Sequence, residues 1–159
     1  VAALVIVAVG FAGLMSSAEI RADVYNTIIE FGEKYLGFSF SPISEAPTGE
    51  IIEPHLPEGF YETDRFAHPN STTVDYANEQ GIDLCFIAID KAKGSTLQID
   101  NEHSVAYTVA YHGTVITVMD GTSFHDASYV YWENEAYFYM VYGYYDPEAL
   151  TDMAKSCMK

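Results

Sequence analysis

Five histidines are the first residues that could carry chemistry, because imidazole is a common metal ligand and general base. They lie in separate segments of the chain, at His55, His68, His103, His112 and His125. No two of them have the i, i+4 spacing of a helical zinc site, and there is no His-Glu-x-x-His motif. The acidic stretch from Asp120 to Asp126 also lacks the ligand spacing of an EF-hand loop. We therefore predict no metal and no cofactor.

Motifs for nucleophilic catalysis are missing from the sequence. It contains no Gly-x-Ser-x-Gly elbow and no glycine-rich phosphate loop. Carboxylates are abundant, so a hydrolase that uses acids of the Asp120–Asp126 loop stays an alternative. Cys85 and Cys157 both lie among apolar residues and are predicted to be packed thiols, although an extracytoplasmic location would permit a disulfide. We predict no catalytic residues and no enzymatic activity.

The densest group of potential binding residues is aromatic and lies between Tyr129 and Tyr145. Tyrosine combines an apolar ring with a polar tip, so it serves both in cores and on binding surfaces. Alternation places Tyr129 and Tyr131 on one strand face and Trp132 on the other. Two interpretations stay open, namely core packing and a surface for a peptide or glycan. The candidate binding surface consists of Tyr129, Tyr131, Trp132, Tyr137, Tyr139 and Tyr142.

Composition limits the classes of protein and partner to which these residues can belong. The chain has 159 residues, 49% of them hydrophobic, and a net charge of -16. This length fits one domain with a buried core, and the apolar fraction is too high for a disordered chain. The acidity excludes nucleic acid as an expected partner, because phosphate binding needs clustered cations. The charge is uneven, since residues 94–152 contain nine acids and no Lys or Arg.

The first 18 residues contain no charged side chain. A helix that spans a bilayer needs roughly 20 apolar residues, so we predict that residues 1–18 are a truncated transmembrane anchor. Two other interpretations stay open: a signal-peptide core that ends near Ser16–Ala18, and a helix that mediates oligomerisation.

Two segments are predicted to link this anchor to a folded domain. Residues 19–37 carry apolar side chains at spacings of three and four, including Ile28, Phe31 and Tyr35, which predicts an amphipathic stalk helix. Residues 38–58 contain four of the six prolines, which predicts an extended connector that packs little.

Residues 59–159 carry the signals of antiparallel strands and short turns. The clearest strand runs from His103 to Tyr111, where bulky and small residues alternate. Asp146 and Pro147 are typical of the start of a helix, which predicts a C-terminal helix. The predicted fold is α+β: a meandering antiparallel sheet with a long N-terminal helix and a C-terminal helix packed on it.

The order of these segments resembles the domain of unknown function 4367 family of Gram-positive bacteria. The matching stretches are SSAEIRADVYNTIIEFGEKYLGFSF, Leu56 to Phe60, the hairpin from Tyr76 to Gly81, the strand pair from Val130 to Tyr142, and the closing helix PEALTDMAKSCM. The resemblance implies an extracytoplasmic domain on a single-pass membrane anchor, in some proteins as part of an anti-sigma-like regulator. It implies no catalytic residues.

We therefore expect a non-enzymatic, membrane-anchored domain outside the cytoplasm that senses or binds a protein, peptide or glycan. The alternative is an envelope scaffold in which the apolar helix mediates homo-oligomerisation. Signalling, if the domain signals, is expected to pass from the sheet to the stalk.

Overall fold

A computed structural model of the chain describes residues 27–31, 35–41, 49–100, 102–123 and 125–158. Its strands are β1 Thr27–Phe31, β2 Tyr35–Phe40, β3 Phe60–His68, β4 Ser71–Asn78, β5 Asp83–Asp90, β6 Ser95–Asp100, β7 Ser104–Tyr111, β8 Thr114–Gly121, β9 Ser128–Glu133 and β10 Tyr137–Gly143. A 3-10 turn spans Lys91–Lys93, and an α-helix, α1, spans Pro147–Ser156. Within these ranges no helix is long and apolar enough to cross a membrane. The predicted anchor, residues 1–18, lies outside them.

The strands form two sheets, and every pairing in them is antiparallel. The large sheet has seven strands in the order β3-β4-β5-β10-β9-β8-β7, and the small sheet has three in the order β1-β2-β6. The α+β class, the antiparallel sheet and the C-terminal helix are therefore confirmed.

One face of the large sheet is covered by α1, because strand alternation collects bulky side chains there. Leu150 and Met153 of α1, and Cys157 directly after it, lie in one buried cluster with Val118 and Val130 of the sheet. The helix begins where the sequence predicts, since Asp146 Oδ1 accepts a hydrogen bond from the Glu148 backbone N–H at 3.3 Å. Such a cap satisfies one of the amide groups that the first helical turn leaves unpaired.

The opposite face of the large sheet is covered by the small sheet. Leu36, Phe38 and Phe40 of β2 are buried and pack in one cluster with Phe138 and Met140 of β10. The molecule therefore has three layers, with the large sheet in the middle.

The predicted stalk helix over residues 19–37 is wrong where the structure describes it, because residues 27–31 and 35–37 are strand. Residues 19–26 and 32–34 lie outside the described ranges. The helical spacing of Ile28, Phe31 and Tyr35 competes with a period of two in Leu36, Phe38 and Phe40. Burial of these three side chains against the large sheet decides for the strand, since tertiary packing overrides local propensity.

Of the predicted connector, residues 38–58, the structure describes 38–41 and 49–58. Residues 38–40 belong to β2, so an extended connector is wrong there, whereas residues 49–58 have no helix or strand, as the prolines predict. It packs closely all the same: Ile51, Ile52 and Leu56 lie against the core on the helix side. The His55 backbone N–H donates to Ser156 Oγ at 2.8 Å, near the end of α1. The expectation that this segment packs little is therefore wrong for residues 49–58, because their apolar side chains pack against the core.

Candidate functional site

The β9–β10 hairpin carries all six residues of the predicted aromatic surface, and the structure separates them into four environments. Trp132 lies opposite Tyr139, and Tyr129 lies opposite Tyr142. Tyr131 and Tyr137 each have different neighbours. Alternation assigned the faces correctly, but it did not reveal what covers each face.

Trp132 and Tyr139 lie under α1 as part of the core. Their rings stack with centroids 5.3 Å apart, and their side chains are 4% and 1% exposed. Burial raises the pKa of Tyr139, and its hydroxyl accepts a hydrogen bond from Asn134 Nδ2 at 3.4 Å. Both rings are therefore too deeply buried for a ligand to reach without a rearrangement of the core.

Tyr137 is half-buried beside the connector. Its hydroxyl donates to the Gly49 carbonyl oxygen at 3.2 Å, and its ring lies close to that of Tyr139. A side chain at Gly49 would approach Ala136 Cβ to 3.2 Å, so a small residue suits this contact. The Tyr137 hydroxyl thus links the connector to β10 by a hydrogen bond.

Tyr131 lies on the other face, beneath the small sheet. Its ring meets Phe38 edge-on at 5.0 Å and stacks on Phe138 at 5.7 Å. Burial raises the pKa of Tyr131 to about 12. Tyr131 is therefore a packing residue of the interface between the two sheets.

Tyr129 and Tyr142 stay partly accessible and belong to a polar row across the large sheet. The pairings place Asp75, Cys85, Tyr142 and Tyr129 side by side on β4, β5, β10 and β9. The two tyrosine rings stack with centroids 5.4 Å apart. Burial, and then the neighbouring Cys85, raises the pKa of Tyr142, so this row presents a neutral hydroxyl beside the Asp75 carboxylate.

The thiol of Cys85 is not poised as a nucleophile. Burial raises the pKa of Cys85 to about 12, so it stays protonated near neutral pH, whereas the thiolate is the reactive form. Cys157 lies in the core on the helix side of the sheet, and its pKa is also raised to about 12 by burial. Both cysteines are free. Because the sheet separates them, they are packed thiols, as the sequence predicts.

The acids proposed for the hydrolase alternative hold a loop in place. Asp126 Oδ2 accepts hydrogen bonds from Ser123 Oγ at 2.9 Å and Thr122 Oγ1 at 3.2 Å, and these bonds lower the pKa of Asp126. Asp120 Oδ1 accepts a bond from Ser128 Oγ at 3.5 Å. In the part of the chain that the structure describes, no three His, Cys, Asp or Glu side chains converge as a metal site would require.

A feature that side-chain motifs did not reveal is the difference between the two outer strands of the large sheet. On β3 the ladder shifts register between Glu62 and Asp64, and Arg65 forms ion pairs with Glu53 at 2.7 Å and with Glu62 at 2.6 Å. Bulges and charges of this kind discourage a further strand from adding.

The other outer strand, β7, carries none of these devices. It has eight residues and no charged side chain, and its pairing with β8 is continuous from end to end. Val105 and Tyr107 are 54% and 37% exposed, and no residue of the strand is buried. The sequence showed the alternation of β7 but not its position at the edge of the sheet.

The family model for the domain of unknown function DUF4367 matches residues 51–157 of this chain. The match covers more than half of the chain, so the chain belongs to this family. It includes β3 to β10 and α1, and it leaves β1 and β2 outside. Neither the curated proteins nor the solved structures gave a match.

Proposed function

With membership of this family as the premise, we propose that the chain is a non-enzymatic, membrane-anchored domain outside the cytoplasm that senses a partner by binding it. The observation that carries the proposal is the pairing of β2 with β6. Through this pairing β2, which precedes the matched range, is part of the same fold as the family domain.

The pairing gives binding a short physical route toward the predicted anchor. β6 lies within the matched range and is separated from β7 by residues 101–103 only. On its other side, β6 forms a six-residue register with β2, from Tyr35 opposite Asp100 to Phe40 opposite Ser95. An event that orders β6 therefore acts on β2 through this register, and β7 is connected to β6 by a short segment of chain.

The groups best placed for chemistry support binding more than catalysis. The carboxylates of the Asp120–Asp126 loop accept hydrogen bonds within their own loop or from the start of β9. The thiol of Cys85 is held protonated by burial. We infer that hydroxyls, main-chain groups and exposed carboxylates recognise the partner. An anti-sigma-like regulator is the signalling context that we propose for such a domain.

Protease treatment of intact cells that express the full chain tests the proposed location. The acidic domain should be digested from outside, while a cytoplasmic marker protein in the same cells stays whole. The location would be wrong if the domain resisted the protease in intact cells and was digested only after lysis. The domain is followed with an antibody against residues 147–158, the range that contains α1.

A second candidate function is an envelope scaffold in which the apolar N-terminal segment mediates self-association; the observation that favours self-association in the described residues is the absence of charged side chains on the outer strand β7. Light scattering of the full chain and of a variant without residues 1–18, both in the same detergent, separates it from the first candidate. A multimer that becomes a monomer without residues 1–18 supports a scaffold held by the apolar segment, a multimeric mass for both proteins supports association through the folded domain, and a monomeric mass for both rejects the scaffold.

A further inference from the structure

The outer edge of β7 presents a row of main-chain groups whose direction follows from its hairpin with β8. The two-residue turn His112–Gly113 has φ values of 48° and 82°, as in a type I′ hairpin, and it is closed by Tyr111 opposite Thr114. In such a hairpin the closing pair is hydrogen-bonded, and hydrogen-bonded positions then alternate along the strand. The bond from the Thr122 N–H to the His103 carbonyl, at 2.9 Å, continues the same alternation.

The odd-numbered residues of β7 therefore bond to β8, and the even-numbered residues direct their N–H and C=O groups outward. The outward residues are Ser104, Ala106, Thr108 and Ala110. Among the strands of the described ranges, β7 pairs with β8 alone. Within the described ranges, the small side chains of Ala106, Thr108 and Ala110 do not screen the outward groups of these three residues from another strand.

Charge around this edge limits what such a strand can be. Residues 94–152 contain nine acids and no Lys or Arg. Burial raises the pKa of Tyr107, and the nearby charges of Asp120, Glu148 and Asp146 raise it further, so three carboxylates lie within electrostatic reach of β7. A negative surface of this kind attracts cationic partners and repels acidic ones.

We propose that the β7 edge binds an extended, positively charged peptide segment of a partner protein, which adds to the large sheet as an eighth strand. This inference rests on the proposed binding function and names the class of partner. Main-chain hydrogen bonds would supply affinity, and the carboxylates near Tyr107 would select Lys or Arg. A second copy of this chain fits less well, because pairing two β7 strands would bring together two acidic surfaces.

The probe is a fluorescent octapeptide of alternating lysine and valine, and the control is its glutamate–valine counterpart. Both are titrated against the full chain in a non-ionic detergent, with anisotropy as the readout. The lysine peptide should bind, the glutamate peptide should not, and added salt should weaken the binding because charge attraction is screened. Binding of both peptides with equal strength would overturn the proposed selectivity.

Thr108→Pro tests strand addition, because it removes an outward N–H that takes no part in the β7–β8 ladder. Proline is tolerated on the solvent side of edge strands, and Thr108→Ala is the matched control that keeps the N–H. We expect Thr108→Pro to weaken binding about tenfold, since a net hydrogen bond contributes about that factor. Unchanged binding by a folded Thr108→Pro variant would show that charge alone holds the peptide.

A pair of substitutions at Val105 keeps the test decisive if Thr108→Pro does not fold. Val105→Lys should weaken the lysine peptide and Val105→Glu should not, although both place a long polar side chain at the same exposed site. Equal effects of the two would overturn the proposal. A dimeric chain that Thr108→Pro converts to a monomer would identify a second copy as the occupant instead.

The two proposals can fail separately. If the lysine peptide does not bind but intact cells lose the domain to protease, the partner class is wrong and the proposed location stands. If the lysine peptide binds but the domain is protected from protease in intact cells, the proposed location is wrong and the partner class stands.

Discussion

Replacing Phe38 by alanine should destabilise the whole domain, although Phe38 lies outside the family-matched range. Its side chain is 1% exposed, and its ring contacts Tyr131 at 5.0 Å and Phe138 at 4.8 Å between centroids. If the small sheet is part of one cooperative unit, loss of this ring lowers the free energy of unfolding of the large sheet as well.

The size of the effect follows from the contacts of Phe38. Burial of one phenylalanine side chain contributes about 2–3 kcal/mol. Each of the two ring pairs adds about 0.5–1.5 kcal/mol beyond the buried area. The sum, about 3–6 kcal/mol, overlaps the measured costs of about 3–5 kcal/mol for Phe→Ala in cores. For a domain of this length, a loss of about 3–5 kcal/mol corresponds to a fall in Tm of roughly 6–20 °C.

Trp132 provides the readout, because it is the only tryptophan and lies on the far side of the large sheet, under α1. Its fluorescence is followed during urea unfolding of the full chain in a non-ionic detergent. Phe66→Ala is the control, since Phe66 is 45% exposed on β3 and should cost less than about 1 kcal/mol. If Phe38→Ala leaves the Trp132 transition unchanged, β1 and β2 unfold independently and the reasoning is refuted.

Three further predictions follow from single sites. Cys85 and Cys157 are buried, and their pKa values are raised to about 12. The thiols of the native protein should therefore resist iodoacetamide at pH 8, and both should react after unfolding. Rapid labelling of the native chain would contradict their burial. The pKa of Tyr131 is raised to about 12, above the ~10 of an unfolded tyrosine, so its stabilising contribution is complete below pH ~10 and is lost as the pH rises through about 12. The urea midpoint of the wild-type protein should therefore decrease as the pH is raised from ~9 to ~12. The Tyr131→Phe variant, which has no hydroxyl to ionise at this position, should show a smaller decrease. An equal decrease in both proteins would contradict this assignment. Gly143→Ala would place a Cβ atom 2.5 Å from the Asp83 carbonyl oxygen. Because β10 and β5 would have to move apart, we expect a loss of about 1–3 kcal/mol in the free energy of unfolding. An unchanged urea midpoint would show that the two strands separate without cost.

Much of the large sheet could be predicted from the sequence because a half-buried strand has a period of two. The alternation between His103 and Tyr111 predicts β7, and the opposed faces of Tyr131 and Trp132 in β9 agree with the structure. Alternation is a local property, so it is visible without knowledge of the partner strand. The same holds for the start of α1, where Asp146 and Pro147 act within one turn.

The small sheet could not be predicted in the same way, because it depends on pairing across a long separation. β2 finds its partner in β6, so Phe38 lies opposite Leu97, and no local signal specifies that register. The elements that cover each face of the large sheet are also brought there by contacts between distant residues. The sequence therefore could not show that Tyr129 stays accessible while Trp132 does not. The open edge of β7 likewise follows from strand order, which is a property of the whole sheet.

The contacts of β2 also limit how a signal could pass from β7 toward the N-terminal segment. A ligand shifts an equilibrium only as far as its affinities for the two states differ. Undocking Phe38 alone would cost about 3–5 kcal/mol, which requires a difference in affinity of about 10²- to 10⁴-fold. One added strand is a small interface, and we expect it to supply less than such a difference by itself. Binding at β7 should therefore act by ordering β6 and β2 further, and hydrogen exchange of residues 35–40 should slow, not accelerate, when the lysine peptide binds.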